Sequence, residues 1–257
     1  MEDTSTYVYC LVHGAGPVAV RNMPPGIPGA TPPTLVNIAP GLSIVISEVP
    51  GAMYAPGEVE RRLRDLDWVA EIALAHELVV ERLSRARGAT VLPLKLFTMF
   101  SGPERAVAEM RTRRRQLEAV VKRIRGCDEW GVRVTRKAPA PAAPVRPAVR
   151  SGAVFLAAKK QARDEAREQA ARLGDAADEV LVRLGRIAKQ AKRRPAPESA
   201  ATPPLLEAVF LVPHERKARF RTAAREAAVR CRAVGAEFTL TGPWPAYNFV
   251  GPGEARS

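Results

Sequence analysis

Aromatic residues make up only 5% of this 257-residue sequence, so any core must be assembled chiefly from Ala, Val, Leu and Ile. Cysteine is scarce too. The three present, Cys10, Cys127 and Cys231, stand more than 100 positions apart. No pair has C-x-x-C spacing, and an odd count argues against a disulfide framework, so the expectation is a reduced, cytosolic chain. Acidic residues are outnumbered, 27 against 40 Lys and Arg, for a net charge of +13. That excess favours contact with something acidic without naming it. No basic start and apolar run opens the sequence, so no signal peptide is expected. The one long uncharged stretch, 22–47, contains Pro24, Pro25, Pro28, Pro32, Pro33 and Pro40. Their missing amide donors cannot sustain a membrane helix, and no membrane partner is expected. What is present is ordinary for a folded chain: 46% hydrophobic and 26% charged residues, long enough for one large or two modest domains.

Motifs of catalysis are missing as well. There is no G-x-S-x-G, no P-loop and no G-x-G-x-x-G. Gly14-Ala15-Gly16 approaches a dinucleotide turn, but Ala19 stands where the third glycine belongs, and prolines follow in place of a helix. His76-Glu77 opens an H-E-x-x-H pattern that fails at Val80, which leaves His76 as a helix-interface histidine. His13 and His214 flank strand ends and read as turn residues. Cys231 lies on an apolar stripe, and Asp128 and Glu129 beside Cys127 would raise rather than lower a thiol pKa. The expectation is a protein that is not an enzyme and uses no metal or cofactor.

The elements read as follows. Thr6-Tyr7-Val8-Tyr9-Cys10-Leu11-Val12 is a strand, followed by a Gly/Pro-rich loop to about Thr34; Leu42 to Val49 is a second strand. Helical spacing runs from Pro56 to about Arg87, with Asp67 expected to cap a segment carrying Val69, Ile72, Ala73, His76, Val79, Val80 and Leu83 on one face. Thr90 to Phe100 is a third strand, placed at an edge or bulge by Pro93. Ser101-Gly102-Pro103-Glu104 has the form of a capping box and starts a helix to Arg125, with Val107, Met110, Leu117, Val120, Val121 and Ile124 buried. Glu129 to Thr135 alternates as a strand. Ala/Pro tracts at 137–147 and 193–204 are linkers on either side of a long helix, about 152–192, whose first half relies on alanines. Leu205–Val212, 213–234 and 237–241 complete a strand, helix and strand.

Two such strand–helix–strand arrangements, with extra antiparallel strands, predict an α+β fold of two domains of ferredoxin-like type. The domains expected are 1–137, and 138–257 with the long helix leading into a smaller strand–helix–strand at 205–250.

Charge is uneven: residues 1–60 carry a net −4, whereas 61–137 carry +8. Within the latter, Arg111, Arg115, Lys122 and Arg125 recur at near-helical spacing opposite Val107, Met110, Leu117 and Val121. Such a row can be a solvated face or a partner contact. As a basic nucleic-acid-binding surface it lacks interleaved aromatics for base stacking, and that alternative is the weaker one.

Three further segments carry a resemblance: Tyr7-Val8-Tyr9; Trp68, His76-Glu77 and Val79-Val80 with Val91-Leu92-Pro93-Leu94-Lys95 and Thr98; and Glu129-Trp130-Gly131-Val132 followed by Gly242-Pro243-Trp244-Pro245-Ala246-Tyr247-Asn248-Phe249. In order and spacing, from 6 to 250, they resemble the gas vesicle protein L/F family. Leu96-Phe97-Thr98 departs from the family's Phe-Gly-Thr, and Cys10 from a common glycine. The resemblance implies two α+β domains, the N-terminal one ferredoxin-like. It also implies a cytoplasmic, gas vesicle-associated accessory protein that binds the major shell protein and other accessory proteins. Trp244 and Tyr247 are then either a plug for the core or an aromatic partner contact, and the Arg111 row pairs with acidic patches on a partner.

Overall fold

The computed structural model describes residues 4–14, 22–137, 152–195 and 202–251. The chain forms two compact units, 1–128 with 244–257, and 129–243.

At the centre of the first unit lies β1 (Thr4–His13), antiparallel to β3 (Leu42–Pro50) along its whole length. The hairpin partner β2 (Thr34–Ala39) flanks β3. On the other side, β4 (Thr90–Pro93) pairs with Cys10 to His13, and β5 (Met99–Phe100) pairs with Thr6 and Tyr7. The order is β2-β3-β1-β4. Since β1 is antiparallel to both neighbours, β3 and β4 run parallel with β1 between them, a split β-α-β arrangement. The register of β1 shifts between Val8 and Cys10. This shift places Tyr7 and Tyr9, then Cys10 and Val12, in one buried cluster, where strict alternation would have turned Cys10 away.

Between β3 and β4 run α1 (Gly51–Tyr54), α2 (Pro56–Arg62) and α3 (Leu66–Ser84). The face of α3 that meets the tyrosines carries Ile72, His76, Val79, Val80 and Leu83, as its spacing predicts, with Trp68 in addition, while the expected Val69 and Ala73 are half-buried. Its cap is Asp65, whose carboxylate accepts from the Trp68 amide at 3.1 Å, two residues before the expected Asp67. The strand expected over 90–100 is split. Tyr9 O accepts from Leu94 N and Thr98 O from Val8 N, while Phe97, at φ 60°, turns its ring onto Trp68 with centroids 5.4 Å apart. Left-handed backbone at Phe97 cannot continue a ladder.

The helix expected over 101–125 is two helices, α4 (Pro103–Thr112) and α5 (Arg114–Ile124). Gly102 stands at the α4 N-cap without a side-chain cap bond, so the capping box does not form; Pro103 in the first turn starts the helix instead. Ala106 is buried in place of the half-buried Val107. Beyond the expected strands, β2 uses Thr34-Leu35-Val36-Asn37-Ile38-Ala39, read from sequence as loop up to Thr34 and left unassigned after it.

In the second unit, β6 (Cys127–Arg136), α6 (Gly152–Gly185), β7 (Gln190–Arg193), β8 (Leu206–Pro213), α7 (Lys217–Ala233) and β9 (Ala236–Trp244) follow in turn. The sheet order is β7-β8-β6-β9. Each sheet therefore has the order second-third-first-fourth by its own chain sequence. The full β-α-β-β-α-β succession of a ferredoxin-like fold is found in the second unit. In the first unit, the described residues between β1 and β2 form no helix.

The two-part α+β reading holds, with three corrections of boundary. The strand at 129–135 does not close the first unit; as β6 it lies inside the second sheet, between β8 and β9. The long helix ends at Gly185 rather than near 192, because Gln190 to Arg193 pair with β8 from Leu211 to Ala208. The terminal residues from Trp244 onward join the first unit. The Ala/Pro tract at 138–147 and residues 196–201 of that at 193–204 fall outside the described residues. The second core gathers Trp130, Phe210 and Phe220 with Leu173, Ala177, Val180 and Leu184 of α6. Trp130 and Phe220 centroids are 5.9 Å apart, and those of Phe210 and Phe220 5.5 Å. Upstream of Leu173, α6 is exposed from Val154 through Glu168, with Phe155 at 62% and Leu156 at 65%, as an alanine-based face predicts.

Candidate functional site

The basic row is not one row. Helix α4 ends at Thr112 and α5 starts at Arg114, with Arg113 between them at φ −94°, ψ 6°. Arg111 turns to the β2–β3 hairpin, where its Nε donates to Ile38 O at 3.1 Å. Arg125, the C-cap of α5 in extended backbone, places Nη2 3.2 Å and 3.3 Å from the ring nitrogens of His13. Arg115 and Lys122 remain exposed on α5. Of the four expected contacts, two therefore hold the first unit's own strands and loops, and two face outward.

Arg114, which the spacing argument did not single out, pairs with Glu118 at 2.7 Å. With Arg111 and hairpin residues 37–41 it borders a concavity of about 610 Å³. Asn37 in that wall is fixed by Ser43, whose Oγ donates to Oδ1 at 2.6 Å.

Trp244 ends β9 and is 45% exposed. Tyr247 lies three residues on, and its hydroxyl donates to the Glu77 carboxylate. Ala246 and Phe249 are buried beside it. Arg123 Nη2 donates to Phe249 O at 2.7 Å and to Gly251 O at 2.9 Å. The segment 245–251 is thus strapped to the first unit at both ends of its short helical turn. Neither Glu77 nor Arg123 was singled out for this; their partners lie 170 and 126 positions away, and no local pattern encodes such a pairing. Burial raises the Glu77 carboxyl above its ordinary range, and the Tyr247 hydrogen bond opposes that rise.

His76 is 2% exposed, with Nδ1 2.9 Å from the Tyr7 hydroxyl and the Tyr7 and Tyr9 rings against it. Burial lowers its pKa to about 4, so the ring is neutral at physiological pH. Cys10 and Cys231 are buried thiols whose pKa values burial raises, the opposite of nucleophile activation. Among the described residues no group of three or more His, Cys, Asp and Glu could hold a metal ion. None of the described helices is long and apolar enough to cross a membrane.

These side chains form a scaffold with an anchored tail, a basic hairpin recess and exposed cationic and apolar helix surfaces. The family profile described as "Gas vesicle synthesis protein GvpL/GvpF" matches residues 5–251. This chain belongs to the GvpL/GvpF family of gas vesicle synthesis proteins. It is 30% identical over 269 residues to gas vesicle protein L from Streptomyces sp. (strain CB03234), covering 98% of this chain and 95% of that protein. The fold resembles the crystal structure of GvpF from Anabaena sp. PCC7120, with a TM-score of 0.67 at 14% identity over 99% of both chains. It likewise resembles GvpF from Microcystis aeruginosa, with a TM-score of 0.61 at 14% identity over 96% of this chain and 99% of the other. Family membership spans both units, the strapped tail included.

Proposed function

We propose that this chain is a non-catalytic accessory protein of gas vesicle assembly, acting at the vesicle in the cytoplasm. It binds the major shell protein and other accessory proteins during nucleation or growth. The observation that carries this reading is the family match across residues 5–251, which includes both sheets and the terminal segment. The exposed surfaces agree with it. Arg115 and Lys122 offer outward cations on α5, Trp244 a half-exposed ring, and the start of α6 the apolar side chains Val154, Phe155 and Leu156. Exposed apolar side chains in adjacent positions on a helix favour association, while flanking charges steer the encounter and select the partner.

The test is capture of purified major shell protein, and of each other accessory protein, on immobilised full-length chain. Arg115→Glu with Lys122→Glu is expected to reduce capture severalfold at low salt and less at high salt, with circular dichroism and melting unchanged. Trp244→Ala is expected to weaken capture without lowering stability. A folded parent chain that captures none of these proteins overturns the proposal.

A further inference from the structure

We propose that the recess at the β2–β3 hairpin is a receptor for a carboxylate carried on an apolar peptide segment of a partner protein. The inference rests on the accessory-protein reading above and names the chemistry of one contact that reading requires.

The polar side chains of the recess, those of Asn37, Arg111 and Arg114, all present N–H donors, and among the described residues no Asp or Glu lines it. Arg111 is pre-positioned. Its Nε is bound to Ile38 O at 3.1 Å, which fixes the plane of the guanidinium and leaves the end-on pair of Nη groups for a bidentate carboxylate. The Oδ1 of Asn37 is taken by Ser43, so the side chain contributes its amide nitrogen as a donor at the same wall.

The charge balance selects the ligand. Arg114 shares its charge with Glu118, so the recess holds an excess of about one positive charge. One carboxylate neutralises that excess, whereas a phosphate of about −2 would remain under-compensated. The rest of the wall is Ile38, Ala39, Pro40 and Gly41, of which the first three offer aliphatic contact. Among the described residues no aromatic ring lines it for base stacking. An acidic residue flanked by aliphatic ones, presented by a protein, fits all of these features at once.

The probe is a fluorescein-labelled peptide of alternating Leu and Glu, titrated against full-length protein, with the Leu/Gln peptide as control. The expected result is saturable binding of the Leu/Glu peptide, weakened about tenfold or more on replacing Glu by Gln. Arg111→Gln is expected to cost a similar factor, and Arg221→Gln with Arg225→Gln, exposed on α7, less than about twofold. Ala39→Glu sets a carboxylate at the rim while leaving the Arg111–Ile38 bond in place, and it too should cost about tenfold. It keeps the test decisive if Arg111→Gln fails to fold. Equal binding of the two peptides, or parental affinity in Ala39→Glu, overturns the proposal. So does displacement of the peptide by inorganic phosphate at lower concentration than by acetate. A parent chain that captures shell protein but not the peptide sinks the recess alone. One that captures neither sinks the accessory reading as well.

Discussion

The Tyr7 hydroxyl and His76 Nδ1 lie 2.9 Å apart inside the first core, and the second ring nitrogen of His76 has no hydrogen-bond partner among the described residues. A neutral imidazole tolerates this site; an imidazolium does not. Burial holds the His76 pKa at about 4, below the 6.5 of the unfolded chain. Between those values the unfolded state binds a proton that the folded state refuses, so the contribution of this group falls as pH drops from about 6.5 towards 4. The loss approaches about 3 kcal/mol at the acid end. Glu77, raised by burial, acts with opposite sign above its unfolded pKa. The measurement is therefore the difference between parent and His76→Phe in urea unfolding at pH 4.5 and 7.5. Their gap should narrow or reverse in acid; a pH-independent gap contradicts the assignment.

Removing the Tyr247 hydroxyl leaves a half-buried carboxylate without its donor. Tyr247→Phe should cost about 1–2 kcal/mol and raise the Glu77 pKa further, because the lost hydrogen bond was opposing burial. Denaturant unfolding reads the first effect and carboxyl chemical shifts against pH the second. An unmoved Glu77 titration would remove Tyr247 from the strap.

Two glycines should respond in opposite directions. Gly242 has φ +113°, and a Cβ there would come 2.8 Å from Glu129 O, so Gly242→Ala should destabilise by about 2 kcal/mol or more. Gly57, in α2, has no described atom within 4 Å of a Cβ, so Gly57→Ala should stabilise by about 0.5 kcal/mol through the unfolded state. Paired melting curves test both.

Large aromatic side chains divide by burial. Phe220→Ala should cost about 3–5 kcal/mol, since the ring sits between Trp130 and Phe210. Phe155→Ala, at 62% exposure, should leave unfolding within about 0.5 kcal/mol. If Phe155→Ala unfolded the protein, the first half of α6 would be packed on its own chain.

Period was legible in this sequence where an element buries one face along its whole length. The α3 face at Ile72, His76, Val79, Val80 and Leu83 followed from spacing, as did the exposure of alanine-rich 154–168. The Arg111–Arg125 row misled because periodicity presumes an unbroken helix. The break at Arg113 has neither Gly nor Pro to announce it. Strand β2 was missed amid prolines, although Leu35, Val36 and Ile38 are apolar. The partner of β6 was beyond reach because pairing between strands far apart in sequence leaves no local trace. Glu77, read as half of a failed metal motif, serves a tyrosine from the other end of the chain.

The strap has a temporal consequence. The first unit needs Tyr247 and Phe249, but all of 129–243 must be synthesised before they exist. At roughly 5–20 residues per second, the nascent opening segment waits on the order of ten seconds for its closing piece. The second unit, being continuous, has no such delay, so the part translated first is the part finished last.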